Sequence, residues 1–172
     1  MADTENTSNV MKTFNAVSLY VVKQMARCKI EEGRTYVKER FYVSYDFSFI
    51  IRVTGKYTGA VIMSLKEKTA LFLASAMIRS QHVKQFDKLA ESAIQELANM
   101  TISRALLAIA GNEPFNITPP EFIRSGKISL IGEEMQKTFV TELKTPGGII
   151  EFNISLFNGP GDFISDLETN QK

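Results

Sequence analysis

The sequence predicts an α+β fold, a single domain in which a mostly antiparallel sheet is covered by helices. A long segment without Gly or Pro, residues 86–110, is followed by Gly111 in the way that helices end. Blocks rich in aromatic and β-branched residues lie on both sides of this segment. Helices and strands come in runs and do not alternate as βαβ units, which argues against a doubly wound parallel sheet.

The other elements follow from local patterns along the chain. Residues 1–8 are polar and acidic, and we expect a flexible leader there, before an amphipathic helix over residues 10–27. A second, short helix is expected over residues 66–78. Strands are predicted where apolar residues alternate or cluster, at 34–54, 60–65, 121–127, 128–133, 135–143 and 149–157.

Turns and loops are predicted from Gly and Pro. Residues 54–59 and the Pro-Gly-Gly stretch at 144–148 indicate turns, the second of them a hairpin. Three prolines make residues 112–120 an irregular loop, and not the centre of a strand. We therefore expect one domain over residues 9–157, followed by a polar tail over residues 158–172.

Composition excludes several classes of function. The formal net charge of +1 over 172 residues is unlike that of a protein that tracks nucleic-acid phosphates. The single cysteine, Cys28, cannot form an internal disulfide, and the single histidine, His82, cannot supply a zinc site. No apolar run is long enough for a membrane helix, and the polar N-terminus is unlike a secretory signal. We expect a soluble cytoplasmic protein that binds neither nucleic acid nor membrane.

The long helix is expected to have two different faces. At about 100° per residue, a wide apolar face collects Leu89, Ala90, Ala93, Ile94, Leu97, Ala98, Met100, Thr101, Ile102, Ala105 and Leu107. A narrower polar stripe collects Lys88, Ser92, Gln95, Glu96, Asn99 and Ser103. Glu96 and Asn99 are three residues apart and therefore neighbours on the helix surface. A Glu-x-x-Asn spacing by itself usually marks only a solvated face, and Glu113 and Asn116 repeat it in the proline-rich loop.

The surroundings of this pair make it more specific. Ser92, Glu96 and Asn99, followed by Pro120 after 20 intervening residues, match a signature of the form Asp/Ser-x3-Glu-x2-Asn and then proline. Residues 57–77, 86–100, 118–120 and 138–156 together resemble the CheC/CheX/FliY family of chemotaxis phosphatases, in the family's order. The resemblance implies a CheC/CheX-like fold.

The family's substrate is a phosphorylated CheY-type response regulator, which carries the phosphate on an aspartate. The resemblance implies that Asn99 orients the attacking water and that Glu96 pairs with the regulator's active-site lysine. It implies that Mg²⁺ belongs to the regulator, so we expect no cofactor in this chain. An amide does not titrate near neutrality, so Asn99 can hold a water but cannot be a general base. The expected partner-binding residues are Ser92, Gln95, Glu96, Asn99 and Ser103.

Two further expectations concern the branch of the family and the alternatives. Lys12 stands where CheC-type members carry a second glutamate, three residues before Asn15, which points to the CheX-like branch with a single site and implies a homodimer. Ser92 has no base to activate it as a nucleophile, and we read it as a small residue that lets the partner approach. The alternative function is a non-catalytic module of the same fold that docks a chemotaxis or flagellar-switch protein.

Overall fold

The structure, a computed structural model, describes residues 2–38, 45–79, 82–124 and 138–158. Its helices are α1 (Ala2–Ala26), α2 (Glu67–Ile78) and α3 (Lys88–Ala110). Its strands are β1 (Glu31–Lys38), β2 (Phe47–Gly55), β3 (Tyr57–Leu65), β4 (Phe115–Ile117), β5 (Glu121–Arg124), β6 (Thr138–Thr145) and β7 (Gly148–Asn158). Within these ranges no helix is long and apolar enough to cross a membrane.

The described strands form one antiparallel sheet. Its order is β1-β6-β7-β3-β2, and the short strands β4 and β5 both pair with the outer edge of β2. The tight turn at Gly55, which has φ +117°, joins β2 to β3, and the predicted turn at residues 144–148 joins β6 to β7. The predicted α+β fold with an antiparallel sheet covered by helices is confirmed.

One face of the sheet and the three helices share a single core. Strand side chains alternate between faces, so Phe49 and Ile51 of β2 and Phe152 of β7 point toward the helices and are fully buried. Ile94 and Leu97 of α3 are buried in the same cluster. Since α1 packs along α3 as well, α3 is held between the sheet and a neighbouring helix.

Several predicted boundaries change. Helix α1 begins at Ala2, so residues 2–8 are helical where a flexible leader was predicted for residues 1–8. The first 26 residues contain neither Gly nor Pro, and acidic residues near a helix start interact favourably with its dipole. Residues 31–33 lie inside β1, although a strand was predicted only from residue 34, and Gly33 passes so close to Glu142 that an added Cβ would lie 2.7 Å from the Cβ of that residue.

The loop at residues 112–120 is irregular except for the three-residue strand β4, which lies at the sheet edge where prolines are tolerated. The strand predicted at 121–127 is described as far as Arg124. The strand predicted at 128–133 lies outside the described residues, as does the tail beyond Asn158.

The face of the sheet turned away from the helices carries a charged network built on two buried carboxylates. Glu142 and Glu151 are direct neighbours on β6 and β7. The Arg34 guanidinium donates two hydrogen bonds to Glu142, at 2.7 and 3.0 Å. The Lys38 ammonium donates to Glu151 at 2.8 Å. Burial raises the pKa of Tyr36, so its phenol stays protonated and can donate to Glu151 at 3.3 Å. Arg34 thus pairs with Glu142 and Lys38 with Glu151. Because these pairs join β1 to β6 and β7, they favour the observed register of the three strands.

This network predicts a pH dependence of stability. The hydrogen bonds from Arg34 lower the pKa of Glu142 below its ordinary value of 4.5. A lowered pKa stabilises the fold above the ordinary value, and this stabilisation is lost as the pH falls through the lowered pKa. We expect Glu142→Gln to lower the free energy of unfolding by about 1–3 kcal/mol at pH 7 and to flatten its decline below about pH 5. Urea unfolding across pH, with exposed Glu113→Gln as the control, measures this; parallel curves for Glu142→Gln and wild type would contradict it.

Candidate functional site

Helix α3 begins and ends with specific caps. The Asp87 carboxylate accepts a hydrogen bond from the Ala90 N–H at 2.9 Å, and Asp87 itself is extended, as an N-cap should be. At the other end Gly111 has φ +61°, which suits a residue without a Cβ, and its N–H donates to the Leu107 carbonyl at 3.1 Å. The helix therefore lies within the predicted 86–111 span.

An aromatic cluster fixes the start of α3 to the sheet. The ring of Phe86, one residue before the cap, stacks on Phe47 of β2 with centroids 4.2 Å apart. Phe122 of β5 completes the cluster at 5.6 Å from Phe86. The Arg124 guanidinium lies 5.1 Å from the Phe47 centroid, within cation–π range. The first turn of α3, which leads to Ser92 and Glu96, is thus held by β2 and β5 together.

The two faces of α3 are largely those predicted. The buried residues are Ala90, Ile94, Leu97, Ala98, Thr101, Ile102, Ala105, Leu106 and Ala110. Ser92 and Glu96 are exposed on the other side, and Gln95, Asn99 and Ser103 are half-buried there. The polar stripe therefore lies on the outer surface of the domain and does not face the core.

Two leucines assigned to the apolar face lie on the outer surface instead. Leu89 is 60% exposed and Leu107 is 59% exposed. Leu89 precedes Glu96 by seven residues and Leu107 follows it by eleven, so at about 100° per residue both lie within about 20° of Glu96 around the helix axis. The prediction that both leucines lie on the apolar face, although it was made from the same spacing, is therefore wrong. We call the line formed by Leu89, Ser92, Glu96, Asn99, Ser103 and Leu107 the α3 ridge.

The side chains of Glu96 and Asn99 make no hydrogen bond or ion pair with any other part of the chain that the structure describes. Buried and half-buried polar groups in proteins are normally paired. A half-buried amide beside a free carboxylate therefore leaves two groups ready to bind water or a partner. Neither is turned inward.

Two of the predicted partner-binding residues have partners of their own. The Gln95 side-chain amide donates to the Pro120 carbonyl at 2.8 Å. The Ser103 hydroxyl donates to the Met100 carbonyl at 3.4 Å, one turn back along the helix. Sequence spacing gave no signal for the contact between Gln95 and Pro120, since it joins positions 25 residues apart in different elements.

The single cysteine and the single histidine are not part of the α3 ridge. Cys28 is half-buried near the end of α1, and burial raises the pKa of its thiol, which disfavours the reactive thiolate. His82 is exposed before α3. Across the described segments, no group of three or more His, Cys, Asp or Glu residues could hold a metal ion.

This chain is similar to known proteins both in amino-acid sequence and in fold. Residues 47–143 match the model of the family chemotaxis phosphatase CheX. The CheY-P phosphatase CheX of Thermotoga maritima is 30% identical over 115 residues, which cover 66% of this chain and 70% of that protein.

Solved structures show the same fold at lower identity. A putative chemotaxis protein from Desulfovibrio vulgaris Hildenborough superposes with a TM-score of 0.74 at 21% identity, covering 87% of this chain and 97% of that one. The CheX–CheY–BeF3–Mg²⁺ complex of Borrelia burgdorferi gives a TM-score of 0.72 at 24% identity, with 85% and 96% covered. These two likenesses support the fold, and the sequence matches decide the family. This chain belongs to the chemotaxis phosphatase CheX family.

Proposed function

We propose that this protein hydrolyses the phosphoaspartate of a CheY-type response regulator, with the α3 ridge inserted at the regulator's phosphorylation site. The observation that carries this proposal is the outward-facing pair Glu96 and Asn99, neither of which has a partner within the described residues. Family membership and the activity named for the Thermotoga relative support the substrate.

Asn99 orients the attacking water in this mechanism. Transfer of a phosphoryl group to water needs little covalent help, but it needs a water in line with the leaving oxygen. The Asn99 amide can donate to and accept from one water, which fixes both its position and its orientation. Because the amide does not titrate near neutrality, its role is positioning and not proton removal. Such positioning is worth up to roughly 7–11 kcal/mol in favourable cases, of which one amide supplies a part.

Glu96 docks the regulator. Its exposed carboxylate pairs with the regulator's active-site lysine and so brings Asn99, one turn further along α3, over the phosphoaspartate. A fully solvated ion pair contributes about 0–1 kcal/mol, but the same pair gains strength once the partner excludes water from it. The Mg²⁺ that neutralises the phosphate belongs to the regulator's own pocket, and we expect no cofactor in this chain.

The rest of the α3 ridge completes a surface for a protein partner. Ser92 stands one turn before Glu96, and its small side chain leaves room for the partner to approach. Leu89 and Leu107 place exposed apolar side chains at the two ends, about 27 Å apart at 1.5 Å per residue. Exposed leucines around a polar centre fit a docking surface that buries apolar area at its edges. The homodimer stays a prediction from the family resemblance, and the cytoplasmic location stays a prediction from the composition.

The first test removes the amide of Asn99. We expect Asn99→Ala to slow catalysed dephosphorylation of the phosphorylated regulator by at least about tenfold, because the water loses its orientation. Binding to the regulator loaded with BeF3 and Mg²⁺ should change by less than about twofold, since Glu96 remains. Stopped-flow decay of the phosphorylated regulator measures the first quantity, and titration calorimetry the second.

Asn116→Ala is the matched control, because Asn116 follows Glu113 at the same spacing but lies exposed in the β4 strand. It should behave as wild type. Full activity in Asn99→Ala would rule out the proposed role of the amide. A wild-type protein that binds the regulator without shortening the lifetime of its phosphate would instead indicate the non-catalytic binding module.

The second test concerns the charge of Glu96. Truncating one partner of a close interfacial charge pair typically costs 2–5 kcal/mol, so Glu96→Ala should weaken binding of the BeF3-loaded regulator by roughly 30-fold or more. Glu96→Lys should be weaker still, and the opposite reversal of the regulator's lysine should restore part of the loss. Calorimetry at two salt concentrations measures this, with exposed Glu113→Ala as the control. Equal affinities for Glu96→Ala and wild type would contradict the docking role.

A further inference from the structure

The segment between β4 and β5 is a bulge at the sheet edge. Strand β2 pairs with β4 up to Ile117 and with β5 from Glu121 onward. Residues 118–120 therefore face only residues 51 and 52 of β2, so the outer side carries one residue more than the inner side. Two of the three are prolines, which donate no backbone hydrogen bond and have a fixed φ. We call residues 118–120 the proline bulge.

The proline bulge is attached to the sheet at one end and to α3 at the other. The Thr118 N–H donates to the Arg52 carbonyl at 3.0 Å, and the Arg52 N–H donates to the Thr118 hydroxyl at 3.0 Å. The carbonyl of Pro120 accepts the hydrogen bond from the Gln95 amide at 2.8 Å. Gln95 is half-buried, whereas Pro119 is exposed. Pro119 therefore lies on the solvent side of the hydrogen bond between Gln95 and Pro120.

Gln95 lies beside the proposed reaction site. It directly precedes Glu96 and is four residues before Asn99, and side chains four residues apart on a helix are surface neighbours, with about 5–6 Å between their Cβ atoms. The proline bulge is therefore fastened to α3 on the flank of Asn99. A partner that lies along the α3 ridge meets this flank.

We propose, on the basis of the proposed function, that Gln95 is a positioning residue. Its hydrogen bond holds the proline bulge at a fixed distance from α3, and the bulge forms one wall of the docking surface. The wall sets the angle at which the regulator lies on the α3 ridge, so that the water held by Asn99 is in line with the phosphate. Gln95 acts through Pro119 and Pro120 and touches neither water nor phosphate.

Losing a merely structural hydrogen bond lowers the stability of the protein, whereas losing a positioning one lowers kcat. Gln95→Met keeps the length and helix propensity of the side chain and removes the donor. We expect kcat to fall by at least about fivefold with KM changed less than about twofold, because docking through Glu96 persists while the alignment is lost. Gln95→Lys, whose ammonium can donate to the same carbonyl, should recover at least half of the lost kcat. Gln24→Met on the exposed side of α1 is the matched control and should leave both constants unchanged.

Steady-state dephosphorylation of the regulator, normalised to the folded fraction of each variant from urea unfolding, gives these constants. An active wild type with an unchanged kcat in Gln95→Met would overturn this inference alone, as would a loss confined to KM or to stability. A kcat in Gln95→Lys as low as in Gln95→Met would also overturn it. A wild type without activity would overturn the proposed function and this inference with it.

Discussion

The burial of one side of α3 between the sheet and α1 determines the rest of the site. Ile94, Leu97 and Ile102 are fully buried in the core, and each such side chain contributes roughly 1.5–3 kcal/mol when it leaves water. Because a helix turns about 100° per residue, fixing these three fixes the direction of every other side chain on α3. Glu96 and Asn99 face outward for this reason.

Contacts at the helix start and at the sheet edge remove the freedom that burial leaves. The Asp87 cap and the stacking of Phe86 on Phe47 prevent the first turn from fraying. The hydrogen bond between Gln95 and Pro120 joins α3 to the same edge of the sheet, next to Asn99. A catalytic amide that works by orienting one water needs such rigidity, since its effect depends on geometry and not on a pKa. The charged network on the opposite face serves the sheet itself and lies away from α3.

Periodicity and local chemistry were enough for most of the fold and for the outward stripe of α3. The 100° spacing placed Ser92 and Glu96 on the surface. Gly111 marked the end of α3 correctly, and the Pro-Gly-Gly stretch marked the turn between β6 and β7. Residues 2–8 are helical where a flexible leader was predicted for residues 1–8, because a polar, acidic composition is compatible with a helix as well as with disorder. The contact between Gln95 and the proline bulge could not be predicted, since it depends on how β4 and β5 lie against β2, and no local pattern encodes that long-range pairing.

The central claim is that the outer face of α3 is the surface that receives the phosphorylated regulator. Hydrogen–deuterium exchange of this protein, free and with a BeF3- and Mg²⁺-loaded CheY-type regulator, tests it without relying on turnover. Amide exchange reports opening of the backbone, so the expected result is increased protection in α3 and at the Thr118 amide of the proline bulge, with β1 and β6 unchanged. Protection confined to β1 and β6, with α3 exchanging as in the free protein, would contradict the claim.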